Sequence, residues 1–196
     1  MKKNKSLFVA SGGLSDIVLH WFGNSMEKMD SYAEAYRLAA RRLFEKSSNA
    51  ELRDEFACPV VFLYRHSLEL SLKEILINGH KILQLEAKPF QTEKEILERG
   101  HNLSSLWKAL KELHEQIDWT DATELDAHGE TIKEFDKLDS KSFSFRYPVT
   151  LNGSPALRQD FRFDLHHFCD RMDEVLEALD SISCGVAGVL DQMSQN

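Results

Sequence analysis

Between positions 64 and 73 the chain reads Tyr64-Arg65-His66-Ser67-Leu68-Glu69-Leu70-Ser71-Leu72-Lys73. Arg65, Glu69 and Lys73 follow one another at helical spacing, which sets a carboxylate between two cations on one face, with His66 three residues before Glu69. Polar groups in so apolar a stretch need partners. Two readings are open: a structural ion-pair ladder with a hydrogen-bonded histidine, or a pocket whose perturbed charges bind or react. His101 stands in Gly100-His101-Asn102-Leu103 at a helix entry, where a capping or packing role competes with a chemical one. Arg146 lies among aromatic residues, and either anchors its loop to an acidic helix face or contacts an anion. His166 and His167 are adjacent, so their side chains diverge on a helix, and Asp164, Asp170 and Asp173 read as its solvated face. No metal set and no cofactor is expected from that pattern.

Helices must position these residues. Leu14, Ile17, Val18, Trp21 and Phe22 suggest a short docking helix within 1–24, and Asn24 with Glu27 has capping-box spacing for a long one. Met29, Ala33, Tyr36, Ala40, Leu43 and Phe44 form the inner stripe of that helix, with Glu34, Arg37, Arg41 and Glu45 as its wet face. Ser48 and Glu51 open a second helix that passes Pro59, with a kink or split expected there, and stops at Asn78-Gly79. It is apolar around much of its circumference, so it should be central. Thr92 with Glu95 starts a short helix ending at Gly100, after a connector containing Pro89. The next begins near Asn102 with the stripe Leu103, Leu106, Trp107, Leu110, Leu113 and Ile117.

A further helix spans about 121–139 with Leu125, Ile132, Phe135 and Leu138, although Gly129 weakens it. Phe143, Phe145 and Tyr147 alternate with Ser142, Ser144 and Arg146, and Asn152-Gly153 signals a turn, so a short extended or hairpin insertion near 142–153 is expected. The last helix runs from about Asp164 to Leu190 on Leu165, Phe168, Met172, Val175, Leu179, Ile182, Val186 and Val189. About five main helices, each with one apolar stripe, specify an all-α antiparallel bundle, because only helix-on-helix packing buries every stripe.

The 196 residues, 42% apolar, suffice for a single domain over 1–196 with a substantial core. The net charge of -8, from 32 acidic against 24 basic residues, excludes binding nucleic acid through bulk electrostatics. Any such role needs a local basic patch. Cys58, Cys169 and Cys184 are odd in number and far apart, and read as reduced, buried thiols. Leu7 to Ala10 is too short for a signal peptide, and no apolar run approaches the ~20 residues of a membrane span. No membrane partner is expected, and a cytoplasmic location follows by elimination.

The run Tyr64 to Lys73, followed by Gly100-His101-Asn102-Leu103 and a Leu/Trp helix, resembles the Glu-x3-Lys helix and GH(D/N)L pattern of HEPN-type bundles. The similarity extends upstream to Tyr32-Ala33-Glu34-Ala35-Tyr36 and downstream to Phe145-Arg146-Tyr147-Pro148. The resemblance implies a dimeric protein that binds or cleaves RNA, as a metal-independent endoribonuclease of a toxin or anti-viral system with a partner protein or antitoxin. It equally allows a non-catalytic interaction or regulatory module, or a bundle that binds a small nucleotide ligand. The family's nuclease signature, an arginine followed by four to six residues and a histidine, is matched by Arg162 and His167. In that chemistry a neutral histidine takes the ribose 2′-hydroxyl proton and an arginine stabilises the phosphorane. A five-residue step on a helix leaves two side chains ~140° apart, so Arg162 has to precede the helix, with Asp164 as its cap. The resemblance makes Arg162 and His167 the leading catalytic pair, and Arg65, His66, Glu69, Lys73, His101 and Arg146 the alternative binding cluster.

Overall fold

The computed structural model describes residues 28–46, 50–117 and 122–194, and among these the chain forms six helices and no strand. They are α1 (Met29–Lys46), α2 (Ala50–Leu85), α3 (Glu93–Glu98), α4 (Leu103–His114), α5 (Ala122–Leu138) and α6 (Leu165–Ser194). The fold is an all-α bundle. The docking segment 1–24 and the capping pairs at Asn24 and Ser48 lie outside the described residues.

α2 is the central element, packed against α1, α3, α4 and α6, while α5 closes the bundle against α4 and α6. Its Val60, Val61, Leu68, Leu72, Ile75, Leu76, Ile77, Ile82 and Leu83 are all buried, as a helix enclosed on several sides requires. It runs on through Pro59, and it passes the expected stop at Asn78-Gly79 to reach Leu85. Packing explains that difference. A Cβ at Gly79 would run into the buried Leu113 of α4, so the glycine permits close helix contact instead of ending the helix. Gly129 serves α5 in the same way, since a Cβ there would lie 2.7 Å from the indole nitrogen of Trp107.

The expected caps appear where the local pattern was strongest. Thr92 and Glu95 form a reciprocal capping box on α3, and the Asn102 side chain accepts the Ser105 N–H at 2.6 Å to start α4. The core expectations hold for Leu72, Leu106, Leu110, Phe135, Met172 and Leu179, whereas Tyr36, Leu63, Leu70 and Phe168 are half-buried.

Several local expectations change. Residues 142–147 do not extend: the Tyr147 N–H reaches the Phe143 carbonyl at 3.1 Å and closes a helical turn. The hairpin is reduced to one antiparallel bridge between Val149 and Pro155. Arg37 belongs to the interior, not to the wet face, because Asp173, Glu177 and Asp180 of α6 all receive its guanidinium. Asp173 correspondingly leaves the solvated face and also takes Arg41 and the Tyr64 hydroxyl. Of the three free cysteines only Cys169 is buried, and Cys58 and Cys184 are exposed. Burial beside Asp173 and Asp170 pushes the Cys169 thiol up to about 12.

Candidate functional site

Phe62, Arg65, His66, Glu69 and Lys73 recur on one side of α2 because their spacing follows the helical repeat. Arg65 is fully buried, and its guanidinium joins three parts of the chain. Nη1 donates to Glu69 Oε2 at 3.3 Å within α2, Nη2 donates to the His101 carbonyl at 2.6 Å, and Nε donates to the Asp139 carbonyl at 3.1 Å. The Asp139 carboxylate lies 3.4 Å from the same Nε. Glu69 also accepts Lys73 Nζ at 2.7 Å, so the charge ladder expected from the spacing is present.

Burial alone would raise the Glu69 carboxyl. The Lys73 ammonium, by hydrogen bond and charge, and His101 overcome that effect and hold it below the ordinary glutamate range. Glu69 is therefore an ionised acceptor in a nearly closed environment.

His101 is delivered to it by the turn between α3 and α4. Gly100 takes a positive φ of 62°, a conformation glycine adopts without strain, and the chain reverses there before Asn102 caps α4. The start of α4 is pinned to α5, since the Leu103 N–H donates to Asp136 at 2.9 Å. As a result His101 Nδ1 lies 2.9 and 3.1 Å from the two Glu69 oxygens, while 51% of its side chain remains in solvent. An ionised carboxylate only accepts, so Nδ1 carries a proton, and in the neutral form of the ring the lone pair is on Nε2. In that form a carboxylate-oriented imidazole is equipped to accept a proton at Nε2 from a bound hydroxyl.

Asp139 organises the other side of the cluster. Its Oδ1 accepts the Phe143 and Ser144 N–H groups at 2.7 and 2.8 Å, which folds the chain after α5 into the turn that carries Arg146. Ser142, at φ 52°, is buried in this turn, and its carbonyl receives Arg146 Nε. The exposed Arg146 guanidinium stands 5.6 Å from the Phe62 ring centre and 5.8 Å from that of Tyr147. His66 is edge-on to Tyr36, with ring centres 4.5 Å apart, and stacks on Phe62 at 6.0 Å. Burial lowers its pKa; Glu69 opposes this, and the charges of His101, Lys73 and Arg65 add to it, so the neutral form is favoured.

All six residues of the α2-centred cluster thus fall in one neighbourhood. Arg65, Glu69 and Lys73 are its enclosed frame; His101 and Arg146 are the members that reach solvent. Arg162 and His167 are also exposed, at the entry to α6. Arg162 precedes the helix, and Asp164 accepts the His166 and His167 N–H groups at 2.8 and 3.2 Å, which is the expected cap. No hydrogen bond or ion pair among the described residues joins these two to the α2 cluster.

No family model, curated protein or solved structure matches the chain. The site has to be read from its own geometry. Among the described residues there is no group of three or more His, Cys, Asp or Glu side chains placed to hold a metal ion, and no helix long and apolar enough to cross a membrane.

Asp139 and Phe62 escaped the sequence reading. Asp139 is one of many acidic residues near α5, and its only local signal is its place ahead of Ser142 to Ser144, where an aspartate can accept N–H groups of a following turn. Phe62 carries no local signal that sets it apart from the other apolar residues of α2.

Proposed function

We propose that this chain is a HEPN-like RNA-binding protein that cleaves the strand with the RNA's own 2′-hydroxyl, using His101 as general base. The observation that carries the reading is the Glu69 carboxylate on Nδ1 of the half-exposed His101, which orients the ring so that, when neutral, it offers Nε2 as the proton acceptor. Nε2 takes the 2′-hydroxyl proton, the freed oxygen attacks the adjacent phosphorus, and the 5′-oxygen leaves and takes a proton from solvent. Arg146 faces the phosphate and offsets the charge developing on its oxygens. Arg65, Lys73 and Asp139 act through others: they hold Glu69, the His101 backbone and the Arg146 turn.

The pair Arg162 and His167 is a second reading, favoured by one observation: Arg162 lies ahead of α6, so the angular separation of two residues on one helix does not apply. In either form the companions proposed are a second copy of the chain and, as in the toxin or anti-viral setting the resemblance suggests, a protein partner.

The test is RNA cleavage in EDTA by the wild type, His101→Ala and His167→Ala, in a preparation that light scattering shows to be dimeric. Cleavage should leave 2′,3′-cyclic phosphate ends, and His101→Ala should lose about 10²- to 10⁴-fold. Loss in His167→Ala alone would transfer the chemistry to the α6 entry. Absence of cleavage by folded wild type would leave a binding or regulatory module.

A further inference from the structure

The aromatic residues beside Arg146 have no part in that chemistry, yet they are arranged around an exposed Tyr147. Tyr147 stacks on Phe143 with ring centres 4.6 Å apart and planes inclined by 28°, and half of Tyr147 remains in solvent although the ring is large and apolar. The two residues are one helical turn apart, and the turn is held from below by Asp139, whose carboxylate is occupied by two backbone N–H groups and by Arg65. The platform is therefore preorganised, and the nearest carboxylate of the turn is neutralised and turned inward. Arg146 sets a guanidinium against the Tyr147 and Phe62 rings, and Phe62 stacks in turn on His66 of α2.

A flat aromatic ring beside a guanidinium that has no carboxylate partner among the described residues is complementary to a planar base carrying a phosphate: the base stacks and the phosphate meets the cation. The acidic balance of the whole chain makes such local complementarity necessary, since long-range attraction works against any polyanion. The geometry points to a nucleotide subsite on the 142–147 turn, in which an unstacked base lies on Tyr147, backed by Phe143, and its phosphate contacts Arg146. This rests on the proposed function only for its direction toward His101; the subsite itself stands on the turn. Its ligand is a nucleoside phosphate, either one unit of an RNA strand or a free nucleotide.

Binding without cleavage separates the two ideas. A fluorescein-labelled 2′-O-methyl oligoribonucleotide lacks the attacking hydroxyl and reports affinity alone by anisotropy. Tyr147→Ala should weaken its binding by about tenfold, Tyr147→Phe should bind as the wild type does, and an abasic form of the strand should bind the wild type no better than the intact strand binds Tyr147→Ala. Tyr147 is half exposed, so neither variant disturbs the core, which circular dichroism checks. Competition by adenosine monophosphate with the same dependence on Tyr147 would identify a free nucleotide as sufficient ligand; its failure to compete would assign the subsite to a strand. If Tyr147→Ala binds the strand as tightly as the wild type, or if the wild type binds neither probe, the subsite is wrong. RNA cleavage that is unaffected by Tyr147→Ala but lost in His101→Ala would remove the subsite and leave the chemistry. Binding that depends on Tyr147 without any cleavage would do the reverse.

Discussion

Glu69 meets Arg65, Lys73 and His101 at once, and this makes it the most consequential side chain in the cluster. Because the fold holds its carboxyl below the ordinary glutamate range, the ionised form is the one stabilised. That contribution is present above the unfolded glutamate value of about 4.3 and is lost as pH falls through the lower folded value. Glu69→Gln should therefore destabilise the protein near neutral pH by about 3 to 5 kcal/mol, since it leaves buried Arg65 and Lys73 without their shared counter-charge. As pH falls through that lower folded value the gap from the wild type should close, because protonated glutamate and glutamine then present similar groups. Urea denaturation across that range measures it, and a pH-independent gap would mean that Glu69 contributes by packing alone. The ladder itself was legible in the sequence, since helix geometry makes i and i+4 neighbours. His101 joins that cluster in the sequence only through the family resemblance, because a histidine 32 residues away carries no local mark of its partner.

At the scale of elements, α2 shows how far periodicity reaches. Its apolar girth implied a central helix, and the packing of α1, α3, α4 and α6 around it agrees. Which of its leucines face inward is finer information. Leu72 is completely buried, whereas Leu70 is half-buried, so the two should respond differently to truncation. Leu72→Ala should cost about 2 to 5 kcal/mol and Leu70→Ala clearly less, because only the first opens an enclosed cavity. Equal losses in chemical denaturation would contradict the packing of this helix. Gly79 taught the opposite lesson: a glycine that looks like a helix stop is a contact point for Leu113, and only the neighbour on α4 reveals it.

Across the whole molecule, α1, α2 and α6 are joined by polar contacts that a surface reading of each helix would have left in water. Arg37 receives three carboxylates from α6. Nearby, Glu74 of α2 is buried and accepts Ser183 of α6 at 2.8 Å as well as the Asn78 amide. Burial pushes the Glu74 carboxyl up; Asp30 and Asp180 add to this, and Ser183 and Lys81 oppose it. The folded state thus favours its protonated form. The associated stability is fully present below the unfolded glutamate value of about 4.3 and is lost as pH rises through the raised folded value. Glu74→Gln, which keeps the shape and removes the charge, should raise the melting temperature near neutral pH and change it little in acid. A lower melting temperature near neutral pH would show that the ionised carboxylate is needed there.

From the sequence alone came the all-α class, the order of the helices, the caps at Thr92 and Asn102, and the Arg65, Glu69 and Lys73 ladder. Each depends on residues within a few turns of one another, where helical geometry dictates who is adjacent. The meeting of Glu69 with His101, of Arg65 with Asp139, and of Arg37 with α6 was decided only by the tertiary structure. An apolar stripe determines that a face will be buried, but it does not say against which helix, and these polar contacts exist only once that choice of neighbours is made.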